Sequence, residues 1–239
     1  MSALKTETVS YKHGGVEYEG YLAYDGATYA KRPGVLLAHA WFGQDPQVRR
    51  RAVLLAQMGY AAFAIDMYGG GKNARDTAEA AKLSSALRAE PDVLRERAKA
   101  GLDALRSCRC VESRRIAAIG YCFGGAVVLE MARANFDLVG VVSFHGLLDT
   151  SRPATAGMRA RILALHGASD PLVAPDQVRA FQDEMTRAGA DWQMISYGGA
   201  VHAFTNTDAG ADRGSGLAYD EAADRRSWQA MKGLFIEIF

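Results

Sequence analysis

A cysteine framed by glycines carries the strongest chemical signal in this chain: Gly120-Tyr-Cys122-Phe-Gly124-Gly125. The apolar run Ile116 to Gly120 leads into it, and an apolar helical pattern from Gly124 to Ala134 leads out. A strand that turns sharply into a helix strains its central residue and leaves no room for side chains two positions away, so the glycines have a steric reason. Cys122 then stands at a helix N-terminus, where the dipole and nearby N–H groups favour a thiolate, as would an adjacent imidazolium. The pattern is a nucleophile elbow with sulfur in place of oxygen. No Gly-x-Ser-x-Gly occurs anywhere in the chain, so no serine competes for this setting.

A sulfur nucleophile needs a base, and the base needs an acid to orient it; in a fold of this type both follow later, in loops after strands. After the apolar run Ile162 to His166 comes Gly167-Ala-Ser-Asp170-Pro171, a turn that presents a carboxylate. After the run Trp192 to Tyr197 comes Gly198-Gly-Ala-Val-His202, a glycine-rich loop with a single histidine. Asp170 is therefore the acid candidate and His202 the base candidate. Asp149 also follows a strand, but only after an extra turn, and is the weaker acid. His39, His145 and His166 each end an apolar run, the position of a hydrogen-bonded structural histidine, and His13 reads as a surface residue.

The elements that must hold these residues alternate. A β-rich opening (Val9 to Tyr11, Val16 to Tyr24) precedes the apolar runs Gly34 to Ala38 and Ala61 to Ile65, separated by a helical stretch from Gln47 to Met58. A polar, alanine-rich helical region runs from Ala74 to Arg106, broken near Pro91. After the elbow come strands at Val139 to Phe144, Ile162 to His166 and Trp192 to Tyr197, with helices at Pro175 to Ala188 and from Ala218 to the end. Short buried strands alternating with helices predict a mostly parallel central sheet with helices on both faces, in a single α/β domain over residues 1–239. Loops leaving the carboxyl ends of parallel strands build the ligand site, which is where Cys122, Asp170 and His202 fall. The segment Thr205 to Gly216, rich in Gly, Asp and Asn, reads as a surface loop.

Composition narrows the partners. The 239 residues are 49% hydrophobic and 23% charged, with a formal net charge of +1 and no long block of either sign. That balance offers no footprint for nucleic acid or an anionic membrane and favours a small, roughly neutral substrate. The opening MSALKTETVSYKHGG lacks an apolar core and a cleavage pattern, and no window of about 18 apolar residues occurs, so the expectation is a soluble cytoplasmic protein. Three cysteines cannot all pair within the chain, which fits a reduced compartment. No histidine pair has metal-ligand spacing, Cys108-Arg-Cys110 lacks a second half-site, and Gly69-Gly70-Gly71-Lys72 departs from phosphate-loop spacing, so neither metal nor cofactor is expected. The oligomeric state is not legible.

These motifs resemble the dienelactone hydrolase family, of the α/β-hydrolase fold, over nearly the whole chain. The likeness rests on Leu36-Leu-Ala-His39-Ala-Trp-Phe-Gly43, Gly59-Tyr-Ala-Ala-Phe-Ala-Ile-Asp66-Met-Tyr-Gly69, the elbow, His166-Gly-Ala-Ser-Asp170-Pro171 and Gly199-Ala-Val-His202-Ala-Phe204. It implies a triad of Cys122, His202 and Asp170, and an oxyanion hole made by the backbone N–H groups of Trp41 and Phe123; the latter is independently expected as the residue after the nucleophile. It also implies hydrolysis of small esters or lactones through a thioester, without a cofactor. Two positions depart from the family pattern. Ala40 stands where members commonly carry a glutamate, and Asn206 stands where dienelactone-cleaving members carry an arginine that holds the substrate carboxylate. The second departure argues against dienelactone itself as the preferred substrate. Phe42, Tyr68, Tyr121, Phe204 and Asn206 are the candidate pocket residues. The same nucleophile and anion hole would also suit an activated phosphotriester; a non-catalytic binding protein of this fold is the alternative from another class.

Overall fold

The computed structural model describes residues 3–27 and 30–239. Among the described residues there are eight strands and six α-helices: β1 (Leu4–His13), β2 (Val16–Asp25), β3 (Arg32–Ala38), α1 (Pro46–Gln57), β4 (Ala61–Ile65), α2 (Thr77–Ala89), α3 (Pro91–Ser107), β5 (Val111–Tyr121), α4 (Phe123–Arg133), β6 (Gly140–Phe144), β7 (Arg161–Gly167), α5 (Pro175–Arg187), β8 (Trp192–Tyr197) and α6 (Glu221–Ile238). The strands are ordered β1-β2-β4-β3-β5-β6-β7-β8 in a mostly parallel sheet with helices on both faces, the α/β class that the alternation of runs predicts. No helix among the described residues is long and apolar enough to cross a membrane. The chain divides into two compact units, Met1–Ile119 and Gly120–Phe239.

In the first unit β1 and β2 pair antiparallel over ten residues each, and β3 lies parallel to β4. Every residue of β4 is buried, as expected of a strand covered on both faces. Helix starts are set by acidic caps: Asp45 accepts from Val48 N–H ahead of Pro46, and Asp76 accepts from Glu79 N–H. Pro91 ends the alanine-rich region's first helix and opens its second.

In the second unit β6, β7 and β8 run parallel in that order. Helix α4 is buried along its whole length, including Glu130 and Arg133. Those charges are compensated: the Arg133 guanidinium donates to both carboxylate oxygens of Glu184 on α5 (2.9 and 2.8 Å), to Glu130 (3.0 Å) and to the Leu148 carbonyl (2.7 Å). Breaking such a pair by removing one partner strands a buried charge, at a cost of about 3–5 kcal/mol. The network therefore fixes α4, whose N-terminus carries Cys122, against α5 and the chain leaving β6.

Candidate active site

Cys122 links β5 to α4 with φ 55° and ψ −117°, the strained left-handed backbone that the flanking glycines predict. A Cβ on Gly120 would lie 2.0 Å from the Gly124 carbonyl oxygen, so the strand cannot turn into the helix here with any larger residue. The Cys122 side chain does not cap α4, in contrast to the aspartates that start α1 and α2. Its backbone is held at both groups: Cys122 N–H donates to the Phe144 carbonyl (3.0 Å), and its own carbonyl accepts from Gly125 N–H (2.9 Å). Cys122 is only partly buried, and all three cysteines are free thiols.

Asp170 and His202 leave adjacent parallel strands, β7 and β8, whose register pairs Gly167 with Tyr197. The two loops are stitched together beyond the strands, Ala168 N–H donating to the Tyr197 carbonyl (3.0 Å) and Ser169 N–H to that of Ala200 (2.9 Å). Gly167 permits this approach, since a Cβ there would sit 2.7 Å from the Ala200 carbonyl oxygen. The result is a buried pair: Asp170 Oδ2 lies 2.8 Å from His202 Nδ1, while Asp170 Oδ1 accepts from Leu172 N–H at 2.9 Å. With Nδ1 donating to the carboxylate, Nε2 of the imidazole is the atom left for chemistry. That atom is buried. Burial alone depresses the imidazolium, but the charge of Cys122, hydrogen bonding to Asp170 and to Cys122, and the charge of Asp170 more than offset it, raising the His202 pKa from 6.5 to about 10.

The other candidates sort by surroundings. Asp149 is exposed, and His202 Nδ1 is engaged by Asp170. His166, at the end of β7, is pushed down by burial first, with Asp170 raising it and His202 lowering it. His145 is buried after β6 with φ 40°, its Nε2 lying 2.8 Å from Thr205 Oγ1. Neither the His145 to Thr205 contact nor the clamp on the His202 backbone has a sequence signature. The clamp consists of His202 N–H donating to the Gly216 carbonyl (3.2 Å) and Ala218 N–H to that of His202 (3.1 Å). Helix α6 accordingly begins at Glu221, capped by Asp220, rather than at Ala218. Within Thr205 to Gly216 the chain makes two short 3-10 turns, Thr207–Ala209 and Arg213–Ser215.

In this unit the oxyanion-hole candidate Phe123 and the pocket candidates Tyr121 and Phe204 are buried, Tyr121 stacking on Phe144 (4.7 Å) and Phe204 packing on His145 (5.0 Å). Asn206 caps the first short turn by accepting from Asp208 N–H. In the first unit, Trp41 and Phe42 follow β3 with their rings edge to face at 5.4 Å, and the Tyr68 hydroxyl donates to the Trp41 carbonyl (2.7 Å). Among the described residues, no group of three or more His, Cys, Asp or Glu side chains could hold a metal ion.

A strained residue between strand and helix, followed in chain order by a carboxylate and a histidine joined on neighbouring strand ends, defines the hydrolase class of α/β proteins. The chain belongs to the dienelactone hydrolase family, which it matches over residues 18–239. The solved structure m3DLH is 38% identical, superposes with a TM-score of 0.94 and covers 99% of either chain. A dienelactone hydrolase-like promiscuous phosphotriesterase from metagenomic libraries is also 38% identical, with a TM-score of 0.92 and the same coverage of both chains. A putative carboxymethylenebutenolidase of Aquifex aeolicus is 25% identical over 205 residues, covering 84% of this chain and 87% of the relative. The protein is an ester or lactone hydrolase of the dienelactone hydrolase type.

Proposed function

We propose that the protein hydrolyses small carboxylic esters or lactones through a thioester on Cys122, with His202 as acid and base and Asp170 as its orienting partner. The single observation that carries this reading is the state of His202: Nδ1 held by Asp170, Nε2 buried, and a pKa raised by the charge and hydrogen bonding of Cys122 and Asp170. Cys122 Sγ attacks the carbonyl carbon, and the oxyanion that forms takes a hydrogen bond from the first amide of α4, that of Phe123; one such donor is worth about 3–4 kcal/mol. Collapse breaks the C–O bond, and the departing alkoxide takes the proton from His202 Nε2. Acylation removes the sulfur's negative charge and with it a main reason for the raised pKa. His202 is then neutral and takes a proton from water, whose oxygen attacks the thioester; collapse releases the carboxylic acid and the thiolate, and His202 is again the imidazolium. With Asn206 spent on a turn and no arginine at that position, the substrate preferred over dienelactone is one without a carboxylate to be held.

The test is a stopped-flow time course with p-nitrophenyl acetate, coupled to intact-protein mass. The wild type should show a burst and a transient acetyl adduct, both absent from Cys122→Ala. Full activity in Cys122→Ala overturns the reading.

The likeness to a promiscuous phosphotriesterase favours a second activity at the same nucleophile. Attack on an aryl phosphotriester would expel the phenolate and leave a phosphorylated sulfur. Repeated turnover with an aryl phosphotriester supports it; a phosphoryl adduct that persists makes such compounds inactivators instead.

A further inference from the structure

We propose that His145 and Thr205 form a positioning pair that holds the His202 imidazole at its working angle, an inference that rests on the reaction proposed above. His202 is followed by Ala203 at φ 60°, so the chain leaves the imidazole through a left-handed residue that an alanine does not favour. The chain then closes a tight turn, Asn206 N–H donating to the Ala203 carbonyl at 2.8 Å. Something outside the turn must hold this shape, and the side chain that grips it is His145, sixty residues away in sequence: its Nε2 lies 2.8 Å from Thr205 Oγ1, with both residues buried. The His145 ring also packs edge to face on the Phe204 ring at 5.0 Å and on the His202 ring at 5.2 Å. One imidazole therefore touches the catalytic ring directly and fixes the two residues that shape the loop behind it.

His145 is itself anchored where it can serve the nucleophile and the base at once. Its N–H donates to the Leu165 carbonyl on β7 (2.8 Å), and the preceding Phe144 carbonyl accepts from Cys122 N–H (3.0 Å). It occupies φ 40°, a conformation that strains a non-glycine residue and persists where the surroundings over-determine it. A ring needed only to fill space could sit on an unstrained backbone. The strain is explained if the ring must stand beside His202 while its nitrogen reaches Thr205.

The experiment measures kcat and KM for p-nitrophenyl acetate in Thr205→Val, Thr205→Ser, His145→Asn and the double variant Thr205→Val/His145→Asn, with Cys122→Ala as baseline and thermal melts to establish folding. Thr205→Val keeps the shape and removes the hydroxyl; asparagine tolerates φ 40° but is too short to reach Thr205. Each should lower kcat about tenfold with KM within about twofold, the size expected of one buried hydrogen bond that orients a reacting group. Thr205→Ser should recover most of the lost rate, and the double variant should be no slower than the slower single variant. Wild-type kcat in folded Thr205→Val or His145→Asn overturns the proposal, as does an equal loss in Thr205→Ser and Thr205→Val. So does a double variant whose loss is the product of the two. If Cys122→Ala retains wild-type activity, the underlying reaction fails and the pair's function falls with it; if Cys122→Ala is inactive and Thr205→Val is not, only the pair is refuted.

Discussion

His39 and His202 are both buried histidines beyond the ends of parallel strands, one in each compact unit, and their pKa values move in opposite directions. His39 is surrounded chiefly by backbone: Nδ1 donates to the Ala40 carbonyl (2.6 Å) and Nε2 accepts from Met67 N–H (3.2 Å), which fixes a neutral tautomer. Burial dominates there and pushes the imidazolium down, the hydrogen bond to the Ala40 carbonyl and the nearby Asp66 and Asp45 charges only moderating it. His202 suffers the same burial, but a carboxylate holds one nitrogen and a thiol faces the other, and its pKa climbs to about 10. Desolvation alone therefore yields a structural hydrogen-bonding ring; partners with charge convert it into a group that can hold and release a proton. Position agrees with this division: His39 directly follows β3, whereas His202 stands in the glycine-rich loop beyond β8.

The sharpest way to break the contrast is Asp170→Asn, which replaces the charged partner with an amide of the same shape. His202 should lose the orienting acceptor and the charge that favour imidazolium, and kcat should fall on the order of 1,000-fold or more. An NMR titration of the His202 ring checks the cause: its pKa must drop along with the rate. A rate loss without that drop would make Asp170 a structural residue. Second in size is Glu184→Gln, which tests the same principle on a carboxylate. Burial pushes Glu184 upward, but the Arg133 hydrogen bonds and charge overcome this and hold it below 4.5. Its stabilisation is therefore present above about pH 4.5 and lost as pH falls through the lower folded value. The variant should be less stable by about 3–5 kcal/mol at pH 7, and urea midpoints should show the gap closing toward pH 3; a gap independent of pH refutes it. Third, His39→Leu removes the acceptor for Met67 N–H. A loss of about 1–3 kcal/mol in stability with an unchanged pH profile for kcat is expected, and a displaced profile would give His39 a place in the proton chemistry.

Much of this contrast was legible before any coordinates, because strands buried on both faces announce themselves as apolar runs. The run Ala61 to Ile65 coincides with β4, and the pattern around Cys122 predicts the strained turn. Half-exposed strands are another matter. The apolar run Ile116 to Gly120 captures only the buried part of β5, which begins at Val111 and carries the exposed Ser113 and Arg114. β1 extends from Leu4 to His13 although only Val9 to Tyr11 stands out, since a solvated antiparallel ladder needs backbone pairing more than apolar side chains. In the site, Asp170 and His202 follow from topology and turn chemistry. Thr205 does not: its contact with His145 joins two loops distant in sequence and is invisible to periodicity or spacing.

The smallest effect, and the most exacting test of why His202 differs from His39, is the pH dependence of stability in Cys122→Ser. A group whose folded pKa lies above its unfolded value contributes stability that is complete below the unfolded pKa and disappears as pH rises through the folded one. The charge on Cys122 that helps raise His202 is itself a proton given up, so up to the ordinary thiol value of about 8.5 the folded pair and the unfolded chain hold equal numbers of protons, and the melting temperature of the wild type should decline from there to about pH 10. Serine keeps the size of the side chain but carries no negative charge in this range, leaving Asp170 alone to oppose burial. The folded pKa of His202 should fall, and the decline should end at a lower pH. For a chain of this length a change of 1 kcal/mol moves the midpoint by about 2–4 °C, so the two melting curves, followed from pH 6 to 10.5, should separate by about that much. Parallel curves up to pH 10 would mean that the sulfur contributes nothing to the imidazolium, and the contrast with His39 would then rest on Asp170 alone.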